Sequence, residues 1–241
     1  MNDLYKLALS FWQGQPYLGV GLTFLVFWLA NKLYQKCQFH PLLHPVLTSI
    51  IVIIAVLLFI QVDYATYFNG GQLIHFFLGP ATVALAWPLY QHFEAIKKIG
   101  WSVLSAVLLG ILTGATAAVY LAQWLGASTL TQLSLAPKSV TTPVAIAVVE
   151  KIGGNSALTA GFVIITGILG AMFGPAIFKL LSIEDDRVKG IAMGVSAHGV
   201  GTAKAWQLNH TMGAFSGLAM AMAALMIAFV LPPWLQLLGI F

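Results

Sequence analysis

The sequence is poor in charged residues and in cysteine. Only 7% of its 241 residues are charged, against roughly 25% in soluble domains, which argues against a soluble protein. Cys37 is the single cysteine, so an intrachain disulfide is ruled out. The apolar runs contain no paired carboxylates, metal-ligand spacing, phosphate loop or nucleophile elbow, and we therefore expect neither an enzyme nor a cofactor. The net charge of +4 comes from lysines at the ends of apolar runs, which indicates membrane topology rather than nucleic-acid binding.

Apolar sequence is what the chain has in abundance. Hydrophobic residues make up 59% of it and the mean hydropathy is +0.90, which favours an all-α polytopic membrane protein. We expect one integral membrane domain of residues 1–241 without a cleavable signal peptide. Runs near the roughly 20 residues that a spanning helix needs are 16–33, 45–62, 72–92, 101–124, 157–181 and 212–235. The apolar segments 4–12 and 125–136 are shorter.

Two stretches that lie 119 residues apart share part of their sequence. Thr82–Leu89 agrees with Gly201–Leu208 at four of eight positions, one of them a tryptophan. The halves, about 1–122 and 123–241, also share an order of short segment, span, span, broken span and span. Five crossings in each half would invert one repeat relative to the other, and most lysines would then lie in cytoplasmic loops. We therefore predict two inverted repeats of about five transmembrane segments, each with a broken helix.

The stretch Gly194–Lys204 is polar in an apolar setting, because GVSAHGVGTAK holds two hydroxyls, a histidine and a lysine. Gly199 and Gly201 are expected to interrupt the helix. The freed backbone groups cannot be satisfied by hydrocarbon, so such a break must be buried in protein or line a wet cavity. Gly79-Pro80 takes a similar place in the first half, where proline suits the start of a new half-helix. The positive ends of two half-helices near mid-membrane would suit a carboxylate.

We therefore expect a site for a small anion between two crossing broken helices. Lys204 would neutralise the substrate, and His198 would donate to it or carry a coupled proton. The irregular turn between Pro137 and Pro143 would approach the site from the other side. The candidate residues are Gly79, Pro80, Ala81, Thr82, Lys138, Ser139, Thr141, Thr142, Ser196, His198, Gly199, Gly201, Thr202 and Lys204.

These candidates also have purely structural interpretations. Gly79-Pro80 could be a packing glycine beside a tolerated kink, and His198 could be hydrogen-bonded within the core. Lys204 could snorkel to the surface, and Lys138 could be a topology lysine in a loop. If both lysines contact substrate, we expect Lys204 to matter more, since it follows a mid-membrane break while Lys138 is screened at the cytoplasmic mouth.

Three blocks of the sequence resemble one protein family. They are FLGPATVALAWPLY at 77–90, LAPKSVTTPVA at 135–145 and GVSAHGVGTAK at 194–204. In this order they resemble the LrgB/CidB family, which includes the membrane part of the plant plastidic glycolate/glycerate transporter. The resemblance covers essentially the whole chain.

The resemblance implies a multi-pass protein of the bacterial inner membrane that exports or exchanges small monocarboxylates such as glycolate, glycerate or pyruvate. It brings two alternatives: a holin/antiholin-like modulator of murein hydrolases and autolysis, and an accessory subunit of an LrgA-like membrane partner. The expected partners are thus the lipid bilayer and a small-molecule monocarboxylate, and a homo-oligomer is left open.

Overall fold

A computed structural model describes residues 15, 17–77, 79–80, 83 and 101–240, and within these ranges the chain is helical without a strand. It divides into two compact units, Met1–Pro80 and Ala81–Phe241. Four of the described helices are long and apolar enough to cross a membrane: Tyr17–Lys36, Trp101–Trp124, Ser156–Leu180 and His210–Leu237. The expectation of a multi-helical membrane protein is confirmed at this level, while the single domain of residues 1–241 stays a prediction.

The first unit contains three described α-helices: α1 (Tyr17–Lys36), α2 (Pro45–Phe59) and α3 (Tyr64–Phe76), with a short 3-10 helix at Pro41–Leu43. A small core of Val26, Ile53 and Leu57 joins α1 to α2. The Thr23 and Tyr67 hydroxyls lie 2.6 Å apart and join α1 to α3. These contacts position α3, which ends at Phe76, just before Gly79-Pro80.

The second unit contains six described helices. They are α4 (Trp101–Trp124), α5 (Thr129–Leu135), α6 (Thr142–Ile152), α7 (Ser156–Leu180), α8 (Asp186–Leu208) and α9 (His210–Leu237). Each of α5, α6 and α8 contacts at least two of the helices α4, α7 and α9. Buried apolar residues of all six helices form the main core, built mainly from valine and alanine. A smaller cluster joins α7, α8 and α9 through Phe178, Met193, Ala205 and Met212.

The long helices alternate in direction. The seven-residue helix α5 follows the end of α4, and its Ser134 bonds Asn155 and Thr159 at the start of α7. The start of α4 and the end of α7 line the same cavity, so these two helices are antiparallel. The Trp234 indole donates to the Thr116 hydroxyl at 2.8 Å, which places the end of α9 beside the second half of α4. The unit therefore has two opposite ends. We call the end with Leu180 and His210 the Leu180 face, and the end with Trp124 and Ser156 the Trp124 face.

Helix α8 folds back on itself at His198, whose φ of 41° and ψ of −130° are not helical. A Cβ added to Gly201 would lie 2.5 Å from the Ala197 Cβ and 2.7 Å from the Met193 carbonyl oxygen. Met193 and Gly201 are eight residues apart and would be separated by about 12 Å in a straight helix. Their contact therefore requires that the residues before and after His198 form two antiparallel arms. We call residues 186–208 the second hairpin.

Contacts with α9 confirm the direction of both arms. A Cβ on Gly190 would meet the Met212 carbonyl and a Cβ on Gly194 the Ser216 carbonyl, so the entering arm is parallel to α9. The returning arm is antiparallel to α9, because Thr202 bonds Ser216 at 2.9 Å while its later residue Trp206 lies against the earlier Gly213. The second hairpin therefore enters and leaves at the Leu180 face.

Residues 129–152 also fold back, from the Trp124 face. The Asn155 N–H donates to the Ser134 hydroxyl at 2.8 Å, and Thr159 Oγ1 donates to the Ser134 carbonyl at 2.8 Å. The end of α5 thus lies beside the start of α7, to which α6 returns. Between α5 and α6, the Ser139 hydroxyl lies 3.9 Å from a Cβ added to Gly114, about 15 Å along α4 from Trp124. We call residues 129–152 the first hairpin.

This arrangement corrects the expected crossing pattern of the second half. The sequence predicted that the stretch around Gly194–Lys204 crosses the membrane as a broken span, but the two arms of α8, which contains it, return to one face. In residues 123–240, only α7 and α9 run from face to face. The argument for inversion depended on five crossings per half, an odd number, so it no longer holds for this half. The matching broken helices and the inverted repeats remain unconfirmed, because residues 84–100 lie outside the described ranges.

Candidate functional site

The tips of the two hairpins line one cavity of about 1010 Å³ in the second unit. The first hairpin contributes Lys138 and Ser139, and the second contributes Val195 and Ser196. The wall between them is made by α4 and α7, and it includes Gly110, Gly114, Thr166, Gly170 and Phe173. Lys138 is the only charged side chain among the described residues of this lining. We call this space the tip cavity.

Lys138 and Thr141, at the tip of the first hairpin, make few hydrogen bonds to the rest of the described protein. The Lys138 ammonium lies 3.2 Å from the Ser139 hydroxyl, and Lys138 is half-buried. Thr141 occupies the N-cap position of α6, but its side chain makes no capping hydrogen bond. Its Oγ1 is buried, and among the described residues it has no hydrogen-bond partner. Helix α6 then starts at Thr142 with Pro143 in its first turn, so its positive dipole end lies at the same tip.

The tip of the second hairpin is held firmly by α7. His198 is 5% exposed, and its Nε2 lies 2.9 Å from the Val163 carbonyl oxygen. A Cβ added to Gly170 would meet the Ala197 side chain, so the tip can approach α7 only at a glycine. A left-handed φ on a residue other than glycine costs of order 1–3 kcal/mol, and the surrounding contacts must offset it.

The residue that breaks α8 differs from the one expected. Gly199 and Gly201 were predicted to interrupt the helix, yet the backbone departs from helical geometry at His198. Gly199 is exposed, with no atom within 4 Å of an added Cβ, while Gly201 sits at the closest approach of the two arms. Gly201 therefore permits the hairpin to close rather than breaking the helix.

The remaining candidates of the second half are spread around the hairpin. Ser196 is exposed to the tip cavity, but its hydroxyl donates to the Ala192 carbonyl at 2.6 Å. Thr202 is buried and bonded to Ser216 of α9. Lys204 is half-buried on the returning arm and does not line the tip cavity. The structure thus brings Lys138, Ser139 and Ser196 together and leaves Lys204 apart from them.

The candidates of the first half are described only in part. Gly79 and Pro80 are helical and exposed, with open space around Gly79. Ala81 and Thr82 lie outside the described residues. Within the described ranges, no three His, Cys, Asp or Glu side chains come together as metal ligands.

Comparison with known proteins identifies the family. The model of the LrgB-like family matches residues 23–237. The chain belongs to this family. The resemblance seen in the three sequence blocks is thereby confirmed.

Relatives of this LrgB-like protein match along nearly their whole length. YwbG of Bacillus subtilis is 40% identical over 205 residues, which is 85% of this chain and 91% of YwbG. The antiholin-like protein LrgB of Bacillus subtilis is 30% identical over 224 residues, 93% of this chain and 97% of that protein. The holin-like protein CidB of Staphylococcus epidermidis is 33% identical over 218 residues, 90% of this chain and 95% of CidB. No solved structure matches.

Sequence reasoning missed the part of this LrgB-like site that comes from α7. Gly167, Gly170 and Gly174 recur at a helical spacing that places them on one face. In the structure this face receives His198, Ala197 and Met193 of the second hairpin. The signal was present in GILGAMFG, but small residues at this spacing are common packing positions in membrane helices. Only the fold-back of α8 shows which element they receive.

Proposed function

We propose that this protein controls permeation across the membrane as a holin-like or antiholin-like member of its family. The observation that carries this proposal is the match, along more than nine tenths of the chain, to proteins named antiholin-like LrgB and holin-like CidB. The long apolar helices are in keeping with an action inside the bilayer. Modulation of murein hydrolases and autolysis would then follow from permeation, without catalysis by this chain.

We propose the selective passage of a small monocarboxylate as a second candidate, and the tip cavity favours it. A lysine inside a membrane protein costs roughly 2.5–3.5 kcal/mol on insertion scales, and an anionic ligand would offset that cost. Lys138 is the only charge among the described lining residues, and the N-terminus of α6 lies beside it. The remaining lining is mostly apolar, as in sites for small organic ligands. Glycolate, glycerate and pyruvate fit this chemistry.

Location and partners belong to the same proposal. Lys179, Arg187 and Lys189 lie at the Leu180 face, and the positive-inside rule would make that face cytoplasmic in a bacterial inner membrane. An LrgA-like membrane partner or a second copy of the chain would act beside it. If the partner is essential, the purified chain alone would carry no flux and the partner would restore it.

Flux through proteoliposomes that hold only this protein tests both candidates. The vesicles would be loaded with a sugar-sized dye, and uptake of labelled glycolate, pyruvate and lactate would be followed. Saturable uptake that unlabelled substrate reduces, with the dye retained, would support the monocarboxylate candidate. Release of the dye would support a holin-like lesion.

Addition of a purified LrgA-like protein provides the third arm of the experiment. Restored flux would assign an accessory or regulatory role to this chain. The absence of anion uptake and of dye release, with the partner present, would contradict both candidate functions. Lys151→Gln is a suitable control variant, since Lys151 is exposed and lies away from the tip cavity.

A further inference from the structure

A second cavity lies at the open end of the second hairpin, on the Leu180 face. Its volume is about 430 Å³. Both ends of the hairpin line it, through Asp186 and Lys189 at the start and Leu208 and Asn209 at the end. The end of α7 and Met212 of α9 complete the wall. In the proposed function the lysines of this space serve only to orient the protein in the membrane. We call this space the base cavity.

Among its lining residues the base cavity has one positive charge in excess; Glu184, next to Ile183, is exposed and does not line it. The charged lining residues are Lys179, Lys189 and Asp186, and Lys189 Nζ lies 3.0 Å from the Asp186 carboxylate. The neighbouring Asp185 is bound to Arg187 at 2.7 Å, and the hydrogen bonds from Arg187 lower the pKa of Asp185 to about 2. Asp185 therefore stays charged and committed to Arg187. Lys179 is left without an ion pair among the described residues.

The rest of the lining is apolar. Pro175, Phe178, Ile183, Leu208 and Met212 surround the charged edge. A free inorganic anion gains no binding free energy from apolar walls. The phosphate of a phospholipid can bind the lysines, and its hydrocarbon can pack against the apolar residues. The cavity also lies where α7 ends and α9 begins, which is the level of the lipid headgroups if these helices span the bilayer.

We propose that the base cavity binds the phosphate group of an anionic phospholipid. Lys179 contacts the phosphate directly, and Lys189 shares its ammonium between the phosphate and Asp186. The Asn209 side-chain oxygen caps α9, which leaves its amide NH2 to donate to an ester or glycerol oxygen. Basic pockets between membrane helices on the cytoplasmic side are suited to anionic headgroups, and the positive-inside rule puts the Leu180 face on that side. One bound lipid then contacts α7, α9 and both ends of the second hairpin, and it stabilises the position of the open end of the hairpin.

Thermal unfolding of the purified full-length protein in detergent tests this inference. Phosphatidylglycerol, phosphatidylcholine and inorganic phosphate are added in separate titrations. We expect phosphatidylglycerol to raise the Tm and phosphatidylcholine to leave it unchanged. In Lys179→Gln/Lys189→Gln the lipid concentration for a half-maximal shift rises on the order of tenfold. The control Lys151→Gln, at the opposite face, keeps the response of the unmodified protein.

Native mass spectrometry of the same samples provides a readout that does not depend on the stability of the variant. Retention of phosphatidylglycerol by the unmodified protein and by Lys151→Gln, with loss in the double variant, supports the site. An equal Tm shift with phosphatidylcholine, or full retention in the double variant, overturns it. A complete shift with inorganic phosphate assigns the phosphate site to a soluble ligand and overturns the lipid.

Discussion

The two hairpins of the second unit approach the tip cavity from opposite faces, but they use their polar atoms differently. In the second hairpin, His198 contacts the Val163 carbonyl, Thr202 bonds Ser216 and Ser196 bonds Ala192. In the first hairpin, the ammonium of Lys138 has only the neighbouring Ser139 as a hydrogen-bond partner among the described residues. The Thr141 hydroxyl in turn is buried with no described partner.

Under the monocarboxylate candidate, this difference would distinguish a structural tip from a binding tip. A buried polar group costs free energy unless it is hydrogen-bonded, and near the tip of the second hairpin Ser196, His198 and Thr202 meet that requirement within the protein. At the first tip, the Lys138 ammonium lines the tip cavity with only the Ser139 hydroxyl as a described partner, so an anion there would gain an ion pair. Under that candidate, we therefore expect the anion to bind at Lys138, with the second hairpin as a wall of the cavity. This proposal gives Lys138 the larger role, whereas the sequence led us to expect it for Lys204; the transport assay below decides between them.

The largest effect is expected where the arms of the second hairpin touch. Gly201→Ala would put a Cβ 2.7 Å from the Met193 carbonyl oxygen, and a backbone atom cannot move aside as a side chain can. We expect a loss of about 3 kcal/mol, the upper end of the usual cost of overpacking. The measurement is the Tm of the purified protein, together with its yield from the membrane.

Gly199→Ala is the matched control for this comparison. The two glycines are two residues apart, but Gly199 has no atom within 4 Å of an added Cβ. We expect Gly199→Ala to leave the Tm unchanged or slightly higher. Equal Tm values for the two variants would contradict the antiparallel arms and restore a straight helix across the membrane.

The next effect concerns the backbone of His198. Alanine is about 1 kcal/mol more favourable than glycine inside an ordinary helix. At position 198 the order should reverse, because φ is 41° and glycine adopts this region without strain. Both His198→Ala and His198→Gly lose the contact with Val163, so the difference between their Tm values isolates the backbone. A higher Tm for the alanine variant would show that residue 198 is helical.

Substitutions of Lys138 and Lys204 test the comparison between the two hairpins by substrate uptake. If the monocarboxylate candidate is correct, Lys138→Met should raise the apparent substrate constant about tenfold, which equals about 1.4 kcal/mol. The effect should persist at high salt, since a half-buried charge is screened less than an exposed one. Lys138→Arg should restore binding only in part, because a planar guanidinium does not replace a compact ammonium.

Lys204→Met should have a smaller effect, because Lys204 does not line the tip cavity. The assay is uptake of labelled pyruvate into proteoliposomes at low and high ionic strength. Normal uptake by Lys138→Met together with lost uptake by Lys204→Met would show that the substrate binds at the glycine-rich stretch Gly194–Lys204 instead.

The contrast between the hairpins also shows what the sequence could and could not predict. Composition and run length predicted the long helices, since burial in lipid needs about 20 apolar residues whatever the tertiary structure. The polar candidates at 138–142 and 194–204 were found because polar residues are rare in this chain. The fold-back of α8 was not predicted, because it depends on one residue, His198, held at an unusual φ by α7. Local sequence favours glycine for such a conformation and pointed to Gly199 and Gly201 instead.

The smallest effect compares one hydroxyl from each hairpin. Thr202→Val removes the bond to Ser216 of α9 and should cost about 1 kcal/mol of stability, the usual net value of a hydrogen bond. Thr141→Val removes a buried Oγ1 that has no described partner, so it should leave the Tm unchanged or raise it. Neither Thr141 nor Thr202 lines the tip cavity, so neither variant should change the apparent substrate constant in the uptake assay. A Tm loss in Thr141→Val as large as that in Thr202→Val would mean that the fold uses this hydroxyl, and the distinction between a structural tip and a binding tip would no longer hold.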